Sequence, residues 1–158
     1  MLGFKRLLAS LAVLSALFWL GTTSALAAGN PDRQLLPTPP DVTVSCPQGF
    51  SALAHVAVNK EYAKVFVLSD GTIKMQVNGD AVTTVAANGK VLTFNSSGPA
   101  KVYFRPDGVT EVTQGHLIYI GADFHGMWVY TGLVVIDNSG NVVSATGHVT
   151  DVCAALAS

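Results

Sequence analysis

The run Asp70-Gly71-Thr72-Ile73-Lys74-Met75-Gln76-Val77-Asn78-Gly79 decides the fold class. Between two glycine-containing turn signals, Ile73, Met75 and Val77 alternate strictly with Thr72, Lys74 and Gln76. Period two puts one set on each face of an extended segment, the mark of a half-buried β-strand. Asp-Gly and Asn-Gly suit hairpin turns because these residues tolerate positive φ.

The same punctuation continues outward. Asn88-Gly89, Ser97-Gly98-Pro99, Asp107-Gly108 and Asn138-Ser139-Gly140 follow, and the glycines from 71 to 108 stand 8, 10, 9 and 10 residues apart. Turns at that spacing indicate an antiparallel meander and leave no room for helices of ordinary length. Residues 90–95 place Leu92 and Phe94 on one side, while 101–105 and 116–120 are short, aromatic or β-branched. Residues 127–137 and 141–149, joined by Asn138-Ser139-Gly140, are expected to pair as a hairpin, with Gly132 marking a bulge or bend. Ser51 to Val58 reads as a strand, and Asp151 to Ala157 as a short terminal helix capped by Thr150 or Asp151. The expectation is an all-β domain of eight to ten strands in one antiparallel sandwich or barrel; pattern alone does not separate the two.

Ahead of this unit lies a different kind of sequence. Lys5 and Arg6 precede a fourteen-residue apolar run, Leu7 to Leu20, and Ala25-Leu26-Ala27 supplies small residues at −3 and −1 of a cut after Ala27. This is the three-part pattern of a secretory signal peptide, residues 1–27. The run is shorter than the ~20 residues of a membrane span, so contact with a membrane is expected only through an uncleaved signal. There is no Arg-Arg pair for twin-arginine export and no cysteine at the cut for lipid attachment. Residues 28–40 hold Pro31, Pro37, Pro39 and Pro40 and read as an extended linker, leaving 41–158 as the domain.

Charged residues are 12% of the chain, about half the usual share, and hydrophobic residues are 49%. That excludes intrinsic disorder, which needs low hydrophobicity and high net charge. Formal net charge is −1; losing Lys5 and Arg6 with the signal leaves seven basic against ten acidic side chains, a charge of −3 on 131 residues. Such a balance speaks against nucleic acid as a partner. Cys46 and Cys153 are the only cysteines, and an exported chain is expected to join them in a disulfide.

Chemical motifs are absent from the sequence. There is no G-x-S-x-G, H-E-x-x-H or phosphate-binding loop, so no catalytic residue, metal site or cofactor is assigned. Asp70, Asp80, Asp107 and Asp137 sit in or beside turn signals and are read as turn formers. His55, His116, His125 and His148 are far apart in sequence, although Asp123 and His125 share a face if extended. The segment Asp123-Phe124-His125-Gly126-Met127-Trp128-Val129-Tyr130 stands out because it holds the only tryptophan after the signal. Large aromatics most often fill cores, so Trp128 and Tyr130 are first expected to be structural. Turned outward, they and the loop residues Asp123, Phe124 and His125 would form a binding surface for sugars or apolar groups.

The string Asn95-Ser96-Ser97-Gly98-Pro99, the closing Gly147-His148-Val149-Thr150-Asp151-Val152-Cys153 and the signal-plus-single-disulfide layout together resemble small exported β-rich actinobacterial proteins of unknown function. The resemblance implies compartment and fold class and carries no activity or site residue. The leading functional reading is a secreted non-enzymatic β-domain that binds or coats an extracellular partner. A small-ligand β-barrel is the second reading. The third is a small hydrolase or metal enzyme using Asp123 and the histidines.

Overall fold

The computed structural model describes residues 33–158; the expected signal peptide, 1–27, and the start of the linker lie outside the described residues. The strands are β1 (Gln34–Leu35), β2 (Val42–Ser45), β3 (Ser51–Val67), β4 (Ile73–Ala87), β5 (Lys90–Asn95), β6 (Ala100–Arg105), β7 (Gly108–Ile120), β8 (Met127–Ile136) and β9 (Val142–Asp151). Among the described residues one α-helix, α1 (Val152–Ala157), follows β9. All nine strands pair antiparallel in one sheet of order β1-β3-β4-β6-β7-β8-β9. β2 lies on the first part of β3, and β5 on the last part of β4.

The sheet is open, so the closed-barrel form of the expected fold is corrected. β1 and β2 cover parts of the outer edge of β3, while among the described residues nothing pairs with the outer edge of β9. The lead-in is also more tightly held than a free spacer. Gln34 and Leu35 pair with Ala63 and Tyr62, and the Asn59 amide donates to the Leu36 carbonyl at 3.0 Å.

β4 is the spine of the fold. Met75, Val77, Ala81, Thr83 and Val85 are all buried on one face at period two. The Asn78-Gly79 pair, expected as a turn, therefore lies inside this strand. Gly79 sits opposite Glu61, and a Cβ there would run into the Lys60 carbonyl, so the glycine serves close approach of β3 rather than chain reversal. β3 buries Ala52 and Ala54, then Ala63 at an odd spacing; a bulge between Val56 and Val58 absorbs the extra residue and keeps one face inward.

Two apolar cores result. The first packs Val44, Ala52, Ala54 and Val85 against Met127 and Val129, with Leu92, Phe94, Ile118 and Ile120 at its margin. α1 closes it with Val152, Cys153 and Leu156, and the Asp151 carboxylate caps the helix by accepting from Ala154 N–H at 2.9 Å. Cys46 and Cys153 are joined across this core with Cα atoms 5.5 Å apart, at a sequence separation of 107. The second core gathers Ala63, Met75, Val77 and Val102, flanked by Leu36, Val65, Phe104 and Val109.

Between the cores the sheet changes its buried face. Gly115, Gly132 and Gly147 stand directly opposite one another in β7, β8 and β9, with φ of 129°, 134° and 110°. On one side of this row Thr113 and Val134 are buried; on the other, Val129 and Met127 are buried and Ile118 packs on the first core. Both Val129 to Val134 and Thr113 to Ile118 are odd steps, which a regular strand cannot bury on one face. The β5–β6 linker backs the row: Ser97 O accepts from His116 N–H and Pro99 O from Gln114 N–H.

Candidate functional site

The glycine row is a bend, and the bend creates a surface. The Tyr119 hydroxyl donates to the Gly140 carbonyl at 2.9 Å. Tyr119 pairs with Trp128, whereas Gly140 belongs to the hairpin tip beyond Ile136. A straight strand would hold Trp128 and Ile136 about 26 Å apart at ~3.3 Å per residue. The hydrogen bond closes because β8 and β9 fold back at Gly132 and Gly147.

Inside the bend stand three aromatic rings. Tyr119 and Trp128 have centroids 6.1 Å apart, and Tyr119 meets Tyr130 edge-to-face at 6.2 Å. Each ring is half-buried. Burial first, then Tyr130 and the Asp137 carboxylate, push the Tyr119 hydroxyl pKa up, so it stays protonated as a donor. Asp137 is held below the usual carboxylate range, chiefly by the Asn141 N–H, and thereby organises the hairpin tip.

The expectation that Trp128 and Tyr130 fill the core is corrected. Met127 and Val129 take that face, at 0% and 5% exposure. The wide indole instead lies over Gly121 and Gly126, where a Cβ on either residue would strike its ring. Asp123, Phe124 and His125 belong to the connection just before β8, whose Ala122–Phe124 forms a single 3-10 turn. All three are exposed, and Asp123 and Phe124 both have φ of 56°. A left-handed Phe costs of order 1–3 kcal/mol and keeps its ring outward, 37% exposed. His125 and Gly126 are fixed by backbone contact with Ser45, so the loop is anchored beneath its exposed side chains. The structure thus brings Trp128 and Tyr130 together, adds Tyr119, and sets the Asp123–His125 loop against the Trp128 ring through Gly126.

The histidines do not gather. His55 Nδ1 lies 2.7 Å from Asp41 Oδ1 on an exposed edge, His116 and His148 flank Thr131 on neighbouring strands, and His125 is in the loop. Among the described residues, no group of three or more His, Cys, Asp or Glu side chains is placed to hold a metal ion.

Two acids escaped the sequence reading. Glu61 and Glu111 share the inward face of the second core: Glu61 follows the parity of Ala63 on β3, and Glu111 stands opposite buried Val102. Burial raises the pKa of both, and the Glu111 charge raises Glu61 further. Thr113 Oγ1 donates to Glu111 Oε1 at 3.0 Å. The available signal was parity, since each falls where the alternation calls for an apolar residue.

Comparison of the chain with protein-family models, with curated proteins and with solved structures finds no match.

Proposed function

We propose that the protein is an exported, disulfide-stapled binding domain that holds an extracellular ligand on the aromatic surface of β7 and β8. The observation that carries this reading is the cluster of Tyr119, Trp128 and Tyr130 on the face away from the first core, beside the anchored loop of Asp123, Phe124 and His125. Aromatic faces offer apolar contact without requiring a deep cavity. The neighbouring carboxylate and imidazole offer hydrogen bonds to hydroxyl groups. That combination suits a neutral ligand with apolar faces and a polar rim, and a sugar ring is the simplest case. Export is supported by the n-region, apolar run and Ala25-Leu26-Ala27 of the sequence, together with the cystine.

Once the signal is removed Trp128 is the only tryptophan, so its fluorescence reports on this surface alone. The expected result is a saturable change on titration with neutral oligosaccharides, weakened by Tyr130→Ala and by Phe124→Ala. Unchanged emission across gluco-, xylo- and chito-oligosaccharides refutes the sugar reading. Intact mass of the secreted material gives the export test: a chain beginning at Ala28 is expected, and retention of Met1 to Ala27 contradicts cleavage.

A further inference from the structure

We infer that two copies of this chain join edge to edge through β9, antiparallel about a twofold axis at Gly147, so that their sheets run on as one. β9 is ten residues long, and all but Val142 and Thr150 are exposed. Among the described residues its outer edge has no partner strand. Proteins that stay single guard such an edge with lysine, proline, short strands or a covering segment. The opposite edge of this sheet is guarded in that way, by β1 and β2 along β3. Between Ser144 and Thr150 β9 has no such guard: the stretch contains no lysine, arginine, acid or proline, and the ladder irregularity at Val143 and the one acid, Asp151, lie at the two ends of the strand. Val143 and Val149 are 60% and 45% exposed along it.

The bend selects the occupant. The row Gly115, Gly132, Gly147 takes positive φ in every strand that crosses it. Glycine also meets glycine at each step across the row, Gly98 against Gly115, Gly115 opposite Gly132 and Gly132 opposite Gly147, so the strand that suits the outer side of Gly147 is one with a glycine there. A second copy placed about the twofold axis brings its own Gly147 to that point. The same register sets Ala145 against Val149 of the second copy and Thr146 against His148 of the second copy. Over Ser144–Thr150 apolar meets apolar, polar meets polar and no like charges stand opposite, while Val143, at an irregularity in the β8–β9 ladder, and Asp151 lie beyond the matched stretch. The contact is isologous and closes after two copies.

The test measures the mass of the mature full chain in solution by light scattering across a concentration series. The parent is expected to be a dimer. Ala145→Lys with Val149→Lys sets two pairs of like charges face to face and is expected to halve the mass. The chain carrying Ala145→Glu with Val149→Glu is likewise expected to be a monomer, and mixing the two charged chains restores a dimer in this register. A monomeric parent overturns the inference, because β9 then awaits another partner or none. A dimer untouched by the lysines overturns it too, because the copies then meet elsewhere. Should the charged chains misfold, amide exchange on the parent decides: β9 amides gain protection as concentration rises if β9 is the joint, and stay unchanged if it is not.

Discussion

Gly132→Ala measures the cost of straightening the bend. Gly132 has φ of 134°, where an L residue is strained by about 1–3 kcal/mol. A Cβ there also runs into the Thr146 carbonyl and lies 3.2 Å from the Cα of Gly147, both backbone of the paired strand. Backbone cannot rotate aside as a side-chain tip can, so overpacking adds about 1–3 kcal/mol. The expected loss is about 2–6 kcal/mol, a large share of a stability of ~5–15 kcal/mol. Gly71→Ala is the control. Gly71 also has positive φ, 81°, but nothing lies within 4 Å of its Cβ position, so only the backbone strain remains. Urea unfolding of parent and both variants, read as midpoint and slope, gives the comparison. Equal losses at the two glycines would show that β8 and β9 do not approach closely at the row, and the account of the bend would fail.

Replacing both cysteines, Cys46→Ser with Cys153→Ser, is expected to cost ~2–4 kcal/mol, below the ~4.7 kcal/mol chain-entropy value for a loop of roughly this length; unchanged urea midpoints would contradict this. Met127→Ala is expected to cost about 2–5 kcal/mol because that side chain is fully buried, and more than Trp128→Ala, whose ring is half-exposed; the reverse order in urea refutes the assignment of faces. Glu111→Gln is expected to stabilise the protein at pH 7. Its raised folded-state pKa means that the folded chain holds the proton more tightly than the unfolded chain, so the favourable contribution is full below the ordinary glutamate value and is lost as pH rises through the raised one. The variant's advantage should therefore vanish towards pH 4, and an advantage independent of pH would refute the burial account.

Much of the sheet was legible because alternation and turn chemistry act locally. Ile73, Met75 and Val77 announced β4, and Asn138-Ser139-Gly140 announced the hairpin that joins β8 to β9. Asp151 was legible as a cap because its side chain bonds only three residues ahead. The failures share a non-local cause. Asn78-Gly79 carries the chemistry of a turn, yet what fixes it within β4 is Glu61 on another strand. Trp128 looked like core because it is large, but the choice of face was made by the layer that Met127 and Val129 meet. Tyr119 joined the site through a hydrogen bond to a residue 21 positions away, for which periodicity holds no signal.

The glycine row explains why the candidate surface and the open edge occur in the same part of the molecule. In a regular strand a glycine costs roughly 0.5–1 kcal/mol relative to alanine, but at these positive φ values, with neighbouring backbone where a Cβ would stand, the order reverses and all three positions call for glycine. What they permit is a fold-back that no side-chain-bearing strand could make at those φ values. The fold-back brings the Asp137–Asn141 tip to Tyr119 and so shelters the aromatic cluster without burying it in the core. It also bends β9 and places a glycine, Gly147, in the middle of the open edge. One backbone device therefore shapes both the proposed ligand surface and the edge at which the proposed dimer would form.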